Sequence, residues 1–428
     1  MIQAAISAQE HTVSDVTNSR FGSYPKPMRH FLAANVVASK QFVKDAPLRH
    51  AWFESHSFRP MAGLCVDGRV QDFSEAIGLP TGVIEVFRSG GATINCRSIS
   101  FSKRVLEAVR KTHDRGLDQD HAPMVSMFMC VAHYSHSHPK DASCAAWEHQ
   151  IELALQAMQN NADQLNRSYA HDVMQGLPRR LVAFPVLVDT DLDAVIVIGP
   201  EGRLSVRELV ANYSPQSEAH STWAIVARLK RIFPEHWRPL IELAPYMRMR
   251  FYEDLAGLLR ANLSFVQRVI DTKRPVELLV HQERLVFVGR HADWNTEHDT
   301  VFLIDDDNHR LKKDFAIAVK YVAKNILIDA ITENERDWIV PIAINVPHDG
   351  DDRLPTEEYV RQVLLDLKAY IPEIAPSVVK WLLSSHGFGN IDLPVWAHIA
   401  VEKLANRVMF HATVSDRATR LFVPIATV

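Results

Sequence analysis

The apolar run from Met61 to Leu64 leads into Cys65-Val66-Asp67-Gly68-Arg69, at the point where a strand would hand its last residues to a loop. Sheet ends are where α/β proteins place their sites. A thiolate there can bind zinc, an aspartate two residues on can orient a metal-bound water, and an arginine two further on can hold that aspartate through paired hydrogen bonds. A cysteine at a strand end is more often a small buried hydrophobe than a ligand. Here the Asp67 and Arg69 context favours the ligand. A second motif runs His133-Tyr-Ser-His136-Ser-His138-Pro-Lys-Asp-Ala-Ser-Cys144, again at the end of an apolar run, with the cysteine expected to open a helix over Cys144–Leu165. One imidazole and two thiolates leave a tetrahedral position open for water, the arrangement of a catalytic zinc. The third motif is Phe87-Arg88-Ser89-Gly90-Gly91-Ala92, a strand that breaks into a glycine pair and lets the backbone come close to a ligand or a loop.

The other cysteines and histidines read differently. Cys130 lies three residues before His133. On a strand, residues three apart face opposite sides of the sheet, so Cys130 is assigned to the core, as is Cys96. His136 and His138 are candidates for proton transfer or simple loop residues, and the run Asp305-Asp306-Asp307 lacks the spaced ligands of a calcium loop. A thiol phosphatase needs an arginine six positions after its cysteine; position 71 is Gln71, and the same test fails for Cys96, Cys130 and Cys144. Neither Gly-x-x-x-x-Gly-Lys nor Gly-x-Gly-x-x-Gly occurs, which leaves nucleotide enzymes without support.

These motifs must be positioned by an alternating framework. Short apolar runs at Met61–Val66, Val83–Phe87, Met124–Ala132, Leu181–Val188 and Ala194–Ile198 are interleaved with helical patterns over Ser102–His113 and Cys144–Leu165, which predicts a mostly parallel sheet with helices on its faces. Residues 25–55 read as a helical arm after a polar end. After helical patterns near Trp223–Phe233 and Phe251–Ile270, strands are expected at Val276–Val280, Leu285–Val288 and Val301–Ile304, and a helix over Leu311–Leu327. A shift of 212 residues lays Met124–His133 on Arg336–Asn345, Cys144–Leu155 on Thr356–Leu367 and Lys103–His113 on Phe315–Asn325 without a gap. On this weak internal repeat, Asn345 and Thr356 stand where His133 and Cys144 do.

Taken in chain order, the Cys-x-Asp-x-Arg loop, the Arg-x-x-Gly strand end and the later His and Cys resemble the β-class carbonic anhydrases. Ten residues separate His133 from Cys144, where that class usually has two. The longer insertion resembles the divergent carboxysomal branch, a fused two-lobe chain in which the first lobe alone keeps the metal. The resemblance implies reversible hydration of carbon dioxide to bicarbonate by a zinc-bound hydroxide, with one zinc per chain on Cys65, His133 and Cys144. It further implies that Asp67 and Arg69 take catalytic roles, that Arg88, Gly90 and Gly91 border the substrate pocket, and that a second-lobe histidine, His291, comes near the metal as a proton carrier; His298 is a further second-lobe histidine that can titrate near neutral pH. The implied organisation is a tail and arm over 1–55, a zinc-binding catalytic domain over 56–236, and a degenerate lobe of similar fold without metal over 237–428. That lobe would act as a pseudo-dimer partner and wall the site, and the whole chain would form a homodimer. A non-catalytic zinc-stabilised scaffold of the same fold is the alternative, and intact Asp67 and Arg69 argue against it. Carboxysomal members also carry a long N-terminal extension for recruitment, whereas only residues 1–64 precede the Cys65 motif; this weighs against carboxysome residence and association with the shell or with Rubisco.

Composition sets the outer limits. At 428 residues, two lobes are expected; 47% hydrophobic and 23% charged residues with a net charge of -4 describe a globular chain with no polyelectrolyte partner, so nucleic acid is disfavoured. The first ten residues lack a basic segment followed by an apolar core, and no run of about 18 apolar residues occurs. No membrane span and a cytoplasmic location are expected, with the four cysteines reduced or metal-bound.

Overall fold

Residues 58–65 and 125–134 are nearly continuous apolar runs, and strands covered on both faces require that pattern. In the computed structural model both are strands buried along almost their whole length. The structure describes residues 23–56, 58–66, 73–98, 101–109, 125–137, 144–169, 181–211, 221–273, 283–289, 301–304, 310–348, 357–384, 388, 393–416 and 421–427. The chain divides into two compact units, Asp45–Leu279 and Met1–Lys44 with Val280–Val428.

The first unit holds β1 (Phe58–Cys65), β2 (Glu85–Ser89), β3 (Val125–Tyr134), β4 (Leu181–Asp189), β5 (Ala194–Gly199) and β6 (Gly202–Ser205). They form one sheet in the order β2-β1-β3-β4-β5-β6, parallel from β2 to β4 and antiparallel at β5 and β6. Side chains alternate along β3, as the two-residue period of a strand demands. Phe128, Cys130 and Ala132 pack with Phe101, Val105, Met158 and Leu165 on one face. Met127, Met129 and Val131 pack with Leu229, Phe251 and Leu255 on the other. Cys130 is therefore core, as its parity with His133 predicts, and burial pushes its thiol pKa well above the ordinary value.

The helix Pro245–Thr272 explains where this unit ends. Its Asn262 is fully buried, accepts from the Val195 amide at 2.9 Å, and donates to the carbonyls of Ala76 at 2.9 Å and Asp193 at 2.8 Å. The unit runs to Leu279, past the boundary at residue 236 in the organisation that the resemblance implies. The expected N-terminal arm also differs: it is two helices, Lys26–Lys44 and Ala46–Ser55, which fall in different units.

The second unit holds β7 (Leu285–Gly289), β8 (Val301–Ile304), β9 (Val340–His348), β10 (Val408–Asp416) and β11 (Phe422–Thr427) in the order β11-β10-β9-β7-β8. Read from the β8 edge, the order and directions repeat β2-β1-β3-β4-β5, with the last strand of each series antiparallel. The helix Lys26–Lys44 covers this sheet through Phe31, whose ring lies 5.1 Å from Phe287 and 5.6 Å from Phe422. Where the shift of 212 residues places the counterpart of His133, Asn345 is buried beside Gly289 and donates to Ser415 Oγ at 2.9 Å. The expected strand at Val276–Val280 lies outside the described residues. No described helix is long and apolar enough to cross a membrane.

Candidate metal centre

Adjacent parallel strands deliver their C-terminal residues to one edge of a sheet. Cys65 ends β1 and His133 is the penultimate residue of β3. Cys144 arrives from the segment after β3, and its Sγ lies 3.3 Å from that of Cys65. The two sulfurs and an imidazole nitrogen all lie within 4.8 Å of one another, the single such group of three His, Cys, Asp or Glu side chains among the described residues. Exposure is 2% for Cys65, 1% for His133 and 8% for Cys144. A tetrahedral zinc with ordinary zinc–sulfur bonds holds two thiolates about 3.8 Å apart. The observed 3.3 Å is about half an ångström shorter than that, a gap that a small side-chain adjustment closes, and the soft two-sulfur, one-nitrogen donor set suits zinc, so the residues fit the ion.

Electrostatics show what an ion must overcome. The Cys144 sulfur beside it and then burial push the Cys65 thiol well above its ordinary range, while His133 pulls it back down. Without a cation the raised pKa favours the protonated Cys65 thiol, and metal binding must displace that proton. The Ala146 amide donates to Cys144 Sγ at 3.4 Å, a contact that favours the sulfur as an anion.

Around the ligands the backbone is tied down. Arg88, only 3% exposed, donates from Nη1 to the Cys65 carbonyl at 2.9 Å, so at least one arm of its guanidinium serves the β1 terminus. Gly90, Gly91 and Ala92 form a buried 3₁₀ turn with Gly91 at φ 65°, and Trp147 Nε1 donates to the Gly91 carbonyl at 3.0 Å. Asn161 Nδ2 donates to the Ala92 carbonyl at 2.9 Å. Beyond His133, the Asp191 carboxylate accepts from Ser135 Oγ at 2.6 Å and from the Ser137 amide at 2.7 Å, fixing the bend that carries the exposed His136. Nearby Asp189 is fully buried and pairs with Arg207; burial raises its carboxyl pKa although Arg207 opposes the shift.

The structure thus brings together Cys65, His133 and Cys144, ties Arg88 to the Cys65 carbonyl, and packs Gly91, next to Gly90, against Ala146 and Trp147 of the Cys144 turn. Asp67, Arg69, His138, His291 and His298 lie outside the described residues. The helix expected to begin at Cys144 begins at Ile151. A 3₁₀ turn over Ala145–Trp147 and left-handed residues Glu148 (φ 53°) and His149 (φ 58°) come first. Sequence reasoning missed Trp147 and Asn161. The signal for Asn161 was available: it is a polar residue on the same helical stripe as Ala154, Met158 and Leu165.

Residues 51–274, just over half of the chain, match the family model described as Carboxysome Shell Carbonic Anhydrase, catalytic domain. No curated protein matches the chain.

Proposed function

The chain belongs to the carboxysome shell carbonic anhydrases, and on that premise we propose that it interconverts carbon dioxide and bicarbonate with one zinc ion held by Cys65, His133 and Cys144. The observation that carries this reading is the buried trio of two thiols and an imidazole, with all three ligand atoms inside 4.8 Å. Zinc bound there supplies a Lewis acid that lowers the pKa of a water molecule far below its bulk value of about 15.7.

The protein's own groups do the rest. Both thiols lose their protons on loading, and their two negative charges temper the Lewis acidity relative to a site with three imidazoles, so activity rises toward alkaline pH. Asp67 accepts a hydrogen bond at its carboxylate and orients the attacking oxygen toward the carbon, and Arg69 keeps that carboxylate ionised. His136, His138 and His291 are the candidates to pass the product proton to buffer, a role imidazole side chains commonly take. The second unit repeats the strand order while Asn345 stands at the place of His133, which supports its reading as a degenerate copy without metal. The family description is consistent with carboxysome residence, against the expectation drawn from the short stretch before Cys65, and the β-class resemblance supports homodimerisation.

Metal analysis of the purified, reduced chain tests the assignment. The wild type should carry one zinc, and Cys144→Ala and His133→Ala should each lose it. Full zinc in either variant would remove that residue from the centre.

A further inference from the structure

Cys65 and His133 are fixed by the sheet, but Cys144 is not. It sits in neither a strand nor a helix, and three backbone contacts fix it locally: its carbonyl accepts from the Trp147 amide at 2.9 Å and the His149 amide at 3.4 Å, and its sulfur from the Ala146 amide at 3.4 Å. All three donors belong to a short turn that ends in left-handed Glu148 and His149, a conformation that is strained for a non-glycine residue. Strained turns persist where their surroundings over-determine them.

Those surroundings are the glycine turn after β2. Trp147 reaches across and donates its indole N–H to the Gly91 carbonyl, with the ring so close that a Cβ on Gly91 would lie 2.5 Å from Nε1. Asn161, 8% exposed on the following helix, holds the next carbonyl, that of Ala92, itself left-handed at φ 54°. Ser89, at the start of this turn, pairs in register with Cys65. A continuous frame therefore runs from Cys65 through Ser89, Gly91 and Trp147 to Cys144 and connects the two sulfurs.

We infer that Trp147 and Asn161 are positioning residues, which clamp the Cys144 turn onto the glycine turn and so preset the second thiol before metal arrives. This rests on the metal-centre reading above. Neither side chain touches substrate; each acts through the placement of Cys144 Sγ. The glycine pair is then the seat of the clamp, a role distinct from lining a substrate pocket.

The test compares wild type, Trp147→Phe and Asn161→Leu as full-length reduced protein. Phenylalanine keeps an aromatic ring and removes the N–H; leucine keeps the approximate volume and removes the amide. Zinc affinity is read by competition with a chromophoric chelator, and thiolate geometry by the sulfur-to-metal charge-transfer absorption of the cobalt-loaded protein. Each variant should bind zinc about tenfold more weakly and show weaker charge-transfer absorption per cobalt in its folded fraction, whatever the loss of a buried hydrogen bond does to the unfolding midpoint. A general packing role would move the unfolding midpoint and leave the cobalt spectrum of the folded fraction unchanged, which would overturn the inference. So would wild-type affinity and spectrum in both variants. If Trp147→Phe fails to fold, Asn161→Leu carries the test. Absence of metal binding by the wild-type protein would instead bring down the metal-centre reading, and this inference with it.

Discussion

Replacing Gly91 with alanine puts a methyl group 2.5 Å from Trp147 Nε1 and 2.9 Å from both Trp147 Cε2 and Ala146 Cβ. Ordinary carbon contacts lie at about 3.5–4.0 Å, so the indole or the Ala146 backbone must move by roughly an ångström. The indole is rigid, and its hydrogen bond to the Gly91 carbonyl resists the shift. Overpacking of this kind costs about 1–3 kcal/mol. Gly91 also sits at φ 65°, where a side chain adds about 1–2 kcal/mol. The sum, about 2–5 kcal/mol, is divided between lost stability of the 45–279 unit and displacement of the turn that carries Cys144. Urea unfolding of the metal-free protein reads the first part and chelator competition the second. A change under about 0.5 kcal/mol in unfolding together with unchanged zinc affinity would refute the claim that the glycine turn is packed against the Cys144 segment.

Three further outcomes are expected. Asp67→Asn should retain one zinc per chain and lose most carbon dioxide hydration, as measured by metal analysis beside turnover; undiminished turnover would remove Asp67 from the reaction. The Cys65 thiol is held well above its ordinary value of 9.0 by Cys144 and burial, so the folded metal-free chain binds that proton more tightly than the unfolded chain. Its stability should be level below pH 9 and fall above it, whereas the zinc-loaded protein, with both protons already displaced, should lack that slope in thermal melts taken across the range. In the second unit, burial lowers the His411 pKa from 6.5 to about 4. The folded state excludes a proton that the unfolded chain accepts, so stability is complete above pH 6.5 and declines toward pH 4 by at most about 3 kcal/mol. His411→Phe should flatten that acid limb in denaturant titrations, and an unchanged limb would assign it to other groups.

The sheet of the first unit was legible because strands buried on both faces leave long apolar runs, and β1 and β3 carry them with little interruption. The same period of two sorts Cys130 from His133. The buried trio was legible as candidate ligands because Cys65 and His133 end such runs and Cys144 follows them in the order of the β-class resemblance. The turn at Ala145–Trp147 was not: the apolar spacing of Trp147, Ile151 and Leu155 fits one continuous helix, and the left-handed Glu148 and His149 that break it are held by contacts distant in sequence. The domain boundary failed for a related reason. The helix Pro245–Thr272 carries no mark of which sheet it covers, and its allegiance is decided by Asn262 meeting Ala76 and Asp193. Long-range partners of single polar side chains leave no local periodicity to read.

Carbonic anhydrase activity through one zinc on Cys65, His133 and Cys144 is the proposed function. Stopped-flow hydration of carbon dioxide by the reduced wild-type protein from about pH 7 to 9, with zinc measured on the same sample, tests it most directly. One zinc per chain with activity rising across that range is the predicted result. Stoichiometric zinc with no turnover at any of these pH values would contradict it and point to a zinc-stabilised scaffold of the same fold.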